Sequence, residues 1–131
     1  MRKFILAMLL VATSGSAGAE WTQVGASDAS IVYADPATIN KAGNVATMWH
    51  LLDFKAVQSR PYGLPYWSQK TQQEYDCSQT RERTIEFVHY SENMGKGDVT
   101  HVNSEPGDWK PVLPGTSNAA RLELACGKRQ G

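Results

Sequence analysis

The longest strand candidate in the chain reads NVATMWHLLDF and occupies residues 44–54. Side chains alternate between the two faces of a β-strand, so this stretch carries V-T-W-L on one face and A-M-H-L-F on the other. Both faces are partly apolar, which is typical of a central strand that is covered, at least in part, on both sides. The stretch therefore predicts a sheet with neighbours on either edge of this strand.

The segments on both sides of the central strand supply those neighbours. β-branched and aromatic residues with alternating polarity predict strands at residues 21–25, 30–34, 67–77, 83–90 and 99–102. Asp35 followed by Pro36 predicts at most one turn of helix at residues 35–39, with Asp35 as the cap. Residues 106–115 contain three prolines and are predicted to be irregular.

The last predicted element is a helix that begins after a Thr116 or Ser117 cap and runs to about residue 125. Three- and four-residue spacing defines an apolar face made of Ala119, Leu122 and Cys126. Arg121 and Glu123 lie away from that face. The predicted fold class is α+β, with a single antiparallel sheet of about six strands and a C-terminal helix across one face.

The first 19 residues have the pattern of a removable export signal. A positive start is followed by a nine-residue apolar run, and an A-x-A site ends at Ala19. We expect residues 1–19 to be removed and the mature domain, residues 20–131, to begin at Glu20. Nine residues span too little of a bilayer to form a retained anchor, and no later stretch is long and apolar enough to span one. We therefore expect the protein to be exported, periplasmic or secreted, and soluble.

Two cysteines, Cys77 and Cys126, remain in the mature chain. An even count in an exported protein favours a disulfide, and only one pairing exists. The bond would close a loop of about 50 residues and stabilise the fold by roughly 4 kcal/mol on the chain-entropy model. A redox pair or a zinc site is the alternative, but the chain has no C-x-x-C motif.

Short elements spread through nearly the whole mature chain suggest a family. They are Trp21 with Gly25, residues 33–39, Gly43, the Trp49 strand, residues 68–70 and 74–77, Arg83, Tyr90, Ser91, Met94, Gly95, Gly97, Glu105, Pro106, Trp109, Val112, Pro114, Gly115 and Cys126. In order and spacing these elements resemble the surface-adhesin protein E family of Gram-negative bacteria.

The resemblance implies an antiparallel sheet with a C-terminal helix tied down by a disulfide, and it implies a homodimer. It also implies binding of host matrix and serum proteins such as vitronectin and laminin. The family's adhesin resembles a lipoprotein held by an N-terminal cysteine, whereas this chain has Ala19 and Glu20 at that place. We therefore expect neither a lipid anchor nor a membrane span.

The most informative candidate for partner binding is the stretch RPYGLPYW at residues 60–67. Its aromatic residues Tyr62, Tyr66 and Trp67, together with Arg60, are the types enriched at interface hot spots. The prolines stiffen the loop and lower the entropy lost on binding. The alternative is that the rings of Tyr66 and Trp67 simply cover one end of the sheet.

Charge gives a weaker candidate surface. Arg81, Arg83 and Lys96, across the predicted hairpin, form a secondary surface that suits an acidic partner. The alternative is ordinary surface charge balanced by Glu82 and Glu86. Lysine plus arginine and aspartate plus glutamate each number 13 in the whole chain, so bulk positive charge does not support nucleic-acid binding.

No pattern for catalysis, metal or cofactor binding stands out. His50, His89 and His101 lie on separate predicted strands without ligand spacing, so core-edge or solvated histidines are the favoured interpretation. Glu74 and Asp76 share a predicted polar face, and a solvated face is the simpler interpretation. We expect no enzyme activity, no metal and no cofactor.

Two functions remain open at this point. The first is a non-enzymatic exported binding protein that resembles surface-adhesin protein E and binds a host matrix or envelope protein. The second is a structural or accessory periplasmic protein of the cell envelope without an adhesin role, which meets its partner through a dimer or an edge strand.

Overall fold

The computed structural model describes residues 20–127, and the predicted export signal at 1–19 lies outside the described residues. Within this described range, seven strands and one helix follow each other. They are β1 (Thr22–Ala26), β2 (Ser30–Ala42), β3 (Val45–Gln58), β4 (Tyr66–Asp76), β5 (Arg81–Tyr90), β6 (Val99–Asn103), β7 (Lys110–Pro111) and α1 (Ser117–Cys126). A short 3-10 turn, Asn93–Gly95, lies between β5 and β6.

All strands belong to one antiparallel sheet in the order β1-β2-β3-β4-β5-β6. The predicted central strand lies third, with Ala34 paired to His50 on one side and Tyr75 paired to Ala46 on the other. Strand β7 pairs with the first residues of β5, and β6 pairs with its last residues. The meander of about six strands is confirmed, and β7 adds a two-residue strand inside the segment predicted to be irregular.

Helix α1 packs on one face of the sheet, and the core lies between them. Buried apolar residues on facing elements form this core: Ala34, Ala46, Met48, Tyr75 and Ala125. Thr116 caps the helix, since its hydroxyl oxygen accepts the Ala119 N–H at 3.1 Å. Cys77 and Cys126 form the predicted disulfide, which joins the end of α1 to the end of β4. The α+β fold with a helix held by a disulfide is confirmed.

The predicted helical turn after Asp35 is wrong, because β2 continues through Pro36 to Ala42. The register between β2 and β3 breaks between Asp35 and Asn40, and a bulge is a position where a strand tolerates a proline. The Thr38 hydroxyl supplies hydrogen bonds at this break in the pairing. It accepts the Trp49 N–H at 2.9 Å and donates to the Asp35 carbonyl at 2.7 Å. A side chain thus replaces the missing ladder bond.

The prediction that Arg121 lies away from the packed face of the helix is also wrong. Arg121 is 4% exposed and lies between α1 and the sheet. Its Nε donates to the Tyr75 hydroxyl at 3.2 Å, and its Nη2 lies 3.7 Å from Glu82 Oε1. A buried charge requires a partner, and the sheet offers one in Glu82.

Among residues 20–127, no helix is long and apolar enough to cross a membrane.

Candidate functional site

The candidate binding loop connects β3 to β4 and occupies residues 59–65. Its tip carries two large apolar side chains in solvent, Tyr62 at 91% and Leu64 at 61% exposure. The Arg60 side chain folds back over the tip, where Nη1 donates to the Tyr62 carbonyl at 3.3 Å. Gly63 permits this approach, since a Cβ there would lie 2.6 Å from the same nitrogen. The loop therefore presents its two apolar side chains on a braced backbone.

Tyr66 does not belong to the exposed loop, although the sequence placed it there. It is the first residue of β4 and is half-buried. Its ring stacks on His89 with centroids 3.6 Å apart and an angle of 11°, and it meets Phe54 edge-on at 5.8 Å. For Tyr66, the alternative interpretation is therefore the correct one: its ring covers the sheet and is not part of an exposed loop.

Trp67 and Lys96 lie together in a shallow depression of the surface. The depression is lined by Trp67, Lys96 and the turn between β5 and β6 from Ser91 to Met94. Asn93 Nδ2 donates to Asp53 Oδ1 at 2.9 Å and to the Phe54 carbonyl at 3.0 Å, which fixes the turn against β3. Trp67 is half-buried here and covers this end of the sheet.

Two of the three histidines converge on the strand pair β5–β6. His89 pairs directly with His101, with ring centroids 5.3 Å apart, and Phe87 lies 5.2 Å from His89. Separate strands brought these rings together, which explains why sequence spacing could not reveal the cluster. Within the described residues, no group of three His, Cys, Asp or Glu side chains is arranged to hold a metal ion.

The hydrogen bonds around His89 fix the tautomer of its neutral ring, with the proton on Nε2. Gln69 Nε2 donates to the Thr71 hydroxyl at 3.0 Å, so Gln69 Oε1 accepts from His89 Nε2 at 2.9 Å. The other ring nitrogen, Nδ1, is buried without a hydrogen-bond partner. Burial, together with the charges of His101 and Arg60, lowers the pKa of His89 to about 4. Arg60 lies close enough to His89 for its charge to act on that ring.

The three basic residues do not form one surface. Arg81 and Arg83 lie at the start of β5, whereas Lys96 follows the opposite end of that strand. Arg81 Nε lies 2.9 Å from Asp76 Oδ2, and Arg83 Nε lies 2.6 Å from Glu74 Oε1. Their partners are therefore carboxylates of β4 rather than the predicted Glu82 and Glu86.

Both arginines also cover one indole. The guanidinium carbons of Arg81 and Arg83 each lie 4.8 Å from the centroid of the Trp109 ring. Hydrogen bonds from the Ser78 side chain, the Gln79 N–H and Arg81 lower the pKa of Asp76, which keeps its carboxylate charged. The surface is thus a closed set of ion pairs with little charge left for a partner.

A buried polar network under α1 was missed by the sequence reasoning. Arg121, Tyr75 and Glu82 meet there, and Asn118 Nδ2 donates to Glu82 Oε2. Burial raises the pKa of Tyr75 to about 12, so its hydroxyl stays protonated. The four-residue spacing of Ser117, Arg121 and Ala125, with small neighbours around the arginine, was the signal that this helix face is buried.

The opposite face of the sheet carries a groove that the sequence reasoning also missed. Six side chains line about 280 Å³ of space: Trp21, Asp35, Thr38, Trp49, Lys70 and Tyr90. They come from residue 21, before β1, and from β2, β3, β4 and β5, so only the folded sheet assembles them. All six were among the residues that carry the family resemblance.

Comparison with known proteins extends this similarity to the whole domain. A family model described as surface-adhesin protein E matches residues 21–127. No curated protein matches the chain. Solved structures of protein E from Haemophilus influenzae share the fold. At 11–14% identity, that likeness concerns the fold alone.

Three of these structures illustrate the agreement. Crystal form II of the Haemophilus influenzae protein has 12% identity and a TM-score of 0.60, covering 79% of this chain and 91% of that chain. The selenomethionine form has 11% identity and a TM-score of 0.61, with coverages of 85% and 96%. Protein E from the non-typeable bacterium has 14% identity and a TM-score of 0.59, with coverages of 89% and 82%.

Proposed function

The chain belongs to the surface-adhesin protein E family, and on that premise we propose that it is an exported, non-enzymatic protein-binding module. Its partner is a host matrix protein, and its contact surface is the tip of the loop between β3 and β4. The single observation that carries the proposal is the exposure of Tyr62 and Leu64 on a loop whose backbone is held by the Arg60 side chain. Export, the partner and the contact surface are parts of this proposal.

The energetics of the loop tip favour binding over a structural role. Tyr62 and Leu64 bury little of their apolar area in the free protein, so a partner that covers them gains most of their transfer free energy. Pro61, Pro65 and the Arg60 hydrogen bond already restrict the backbone. Less conformational entropy is then lost on association than for a flexible loop.

The Tyr66–His89 stack fixes the position at which the loop ends and β4 begins. Tyr66 starts β4 directly after the loop, and His89 lies on β5 next to edge strand β6. Strand β6 exposes Val99 and Val102 at this edge of the sheet. A partner that covers the loop tip can extend its contact along this edge.

The edge strand supports a second candidate, an accessory protein of the cell envelope without an adhesin role. Among residues 20–127, β6 has no strand on its outer side, so its outer backbone groups are available for strand addition. The partner would be another envelope protein or a second copy of this chain, which would give a homodimer. Its contacts would be main-chain hydrogen bonds, with Val99 and Val102 as apolar support.

The ion pairs on β4 support the non-enzymatic part of the proposal. Asp53, Glu74 and Asp76 are the strand carboxylates that a hydrolase could use, and the last two are each paired with an arginine of β5. For Asp76, hydrogen bonds from Ser78, Gln79 and Arg81 lower the pKa of the carboxyl group, which makes it a poor general base at neutral pH.

A binding panel distinguishes the two candidates. The mature chain, residues 20–131, is passed over immobilised laminin, vitronectin and, separately, washed envelope protein from the producing bacterium. Binding to a matrix protein supports the first candidate. Binding confined to the envelope fraction, or self-association measured by analytical ultracentrifugation, supports the second and refutes the first. The Leu113→Ser variant is the control for nonspecific apolar adhesion, because Leu113 has a similar exposure of 63% outside the loop.

A further inference from the structure

The groove on the sheet face opposite α1 is separate from the loop and plays no part in the proposed protein contact. Asp35 and Trp49 lie directly opposite each other on β2 and β3. Their neighbours Ala34 and Met48 point into the core under the helix, so Asp35 and Trp49 point to the other face. We infer that this groove is a carbohydrate-binding site that takes one or two pyranose rings of a glycan.

Aromatic side chains form most of the groove wall. Trp21 precedes β1, Trp49 lies in β3 and Tyr90 ends β5, and all three are half-buried rather than packed in the core. Large flat rings that are partly exposed to solvent provide apolar contact area with few rotatable bonds. The C–H face of a pyranose ring is flat and apolar and matches such a surface.

Lys70 supplies a fixed donor in the middle of these rings. Its ammonium lies 5.1 Å from the Tyr90 ring centroid and 5.9 Å from the Trp21 ring centroid. Its stem is held by the 3-10 turn, since a Cβ on Gly95 would lie 2.6 Å from Lys70 Cε. Within the described part of the chain, Lys70 Nζ has no carboxylate within 4.0 Å. The ammonium is thus pre-positioned and available.

Asp35 supplies the complementary acceptor. Its Oδ1 accepts the Ala37 N–H at 3.2 Å, and no donor among residues 20–127 reaches its other carboxylate oxygen. The Thr38 hydroxyl already bonds to Trp49 N and to the Asp35 carbonyl, so it contributes shape rather than a free polar group. One free donor and one free acceptor therefore face a mostly aromatic space.

This balance of charges selects the class of compound. An ammonium and a carboxylate in one groove leave no net charge, which disfavours a purely anionic or purely cationic compound. A sugar hydroxyl both donates and accepts, so it satisfies Asp35 and Lys70 together. The volume of about 280 Å³ lies just below the lower end of the ~300–1,000 Å³ typical for drug-sized compounds, which suits one or two rings.

The test observes the tryptophan indole N–H signals of the mature protein by ¹H–¹⁵N NMR, assigned with single Trp→Phe variants. The probes are lactose, for host glycans, and the N-acetylglucosaminyl-N-acetylmuramic acid disaccharide, for bacterial wall glycans. The inference predicts saturable shifts of the Trp21 and Trp49 signals at millimolar concentrations of one probe, while the Trp109 signal stays unchanged. The responding probe identifies the source of the glycan.

Variants make the assignment specific. Trp21→Ala should weaken the response about tenfold or more, and Lys70→Met, which keeps the stem but removes the charge, should weaken it as well. The matched control is Trp109→Ala, because that indole also lies under cationic side chains but outside the groove. Absence of saturable shifts with both sugars overturns the inference. So does a sugar response that survives both groove variants.

Discussion

Arg121 and Tyr75 are joined in the buried layer between helix and sheet, where Arg121 Nε donates to the Tyr75 hydroxyl at 3.2 Å. The same guanidinium lies beside Glu82, which also accepts from Asn118. The helix is therefore held on the sheet by a polar network as well as by the disulfide. This arrangement differs from the purely apolar helix face that the sequence suggested.

Removal of Arg121 should destabilise the fold strongly. Arg121→Ala leaves Glu82 buried without its cation, and the expected loss in free energy of unfolding is about 3–5 kcal/mol. Urea denaturation monitored by circular dichroism measures it. The control is Glu123→Ala on the exposed side of the same helix, which should change stability by less than about 0.5 kcal/mol. Equal effects of the two substitutions would contradict the network.

The disulfide should stabilise the fold without shaping the loop. Cys77 and Cys126 are 49 residues apart in sequence, so the double Cys→Ser variant is expected to lose about 2–5 kcal/mol. Differential scanning calorimetry with and without reductant measures the loss. As a control, addition of reductant to the double variant should have no further effect. A melting temperature of the wild type that does not change on addition of reductant would contradict this prediction.

Acid should weaken the fold through His89. The folded pKa of about 4 lies below the ~6.5 of a free imidazole, so the unfolded chain binds this proton first as pH falls. The stability contributed by neutral His89 is complete above about pH 6.5, decreases as the pH falls towards 4, and levels off below that.

Two measurements check this pH dependence. NMR titration of the His89 ring should give a midpoint near pH 4, and a midpoint at 6.5 or above would refute the assignment. The His89→Gln variant keeps a donor for Gln69 but cannot titrate. Between pH 6.5 and pH 4.5 its free energy of unfolding should fall less than that of the wild type.

Tyr66 should contribute to stability, in contrast to the loop tip. Its ring stacks on His89 and meets Phe54, so Tyr66→Ala should cost about 1–3 kcal/mol in free energy of unfolding. Tyr62→Ala removes a ring that touches solvent and should change stability by under about 0.5 kcal/mol. Thermal denaturation of both variants gives the comparison, and a reversed order would contradict the packing.

The sheet was predictable because period-two alternation marks strands independently of their partners. The central strand, the helix with its Thr116 cap and the only available cysteine pair follow from local signals. Strand β2 was misjudged at Asp35 because the Thr38 hydroxyl, which bonds to Trp49 eleven residues away, rescues the bulge. This hydrogen bond depends on the register between β2 and β3, and the strand propensity of single residues carries no information about that register.

The sites were harder to predict because they are built across strands. The aromatic loop was located, but Tyr66 belongs to β4 and stacks on His89, twenty-three residues further along the chain. The prediction of a basic surface was wrong because Arg81 and Arg83 form ion pairs with carboxylates of β4. The groove around Lys70 and the Arg121 network depend on residues that no short spacing connects.

The most direct test of the proposed function measures affinity and stability on the same loop variants. The Tyr62→Ala, Leu64→Ser double variant removes both exposed apolar side chains, and Leu113→Ser removes one of similar exposure elsewhere. Surface plasmon resonance on immobilised laminin and vitronectin gives Kd, and thermal denaturation gives Tm. We predict that the double variant binds its partner at least about 1–2 kcal/mol more weakly with Tm unchanged, while Leu113→Ser binds as the wild type does. An affinity that the double variant retains in full would contradict the account.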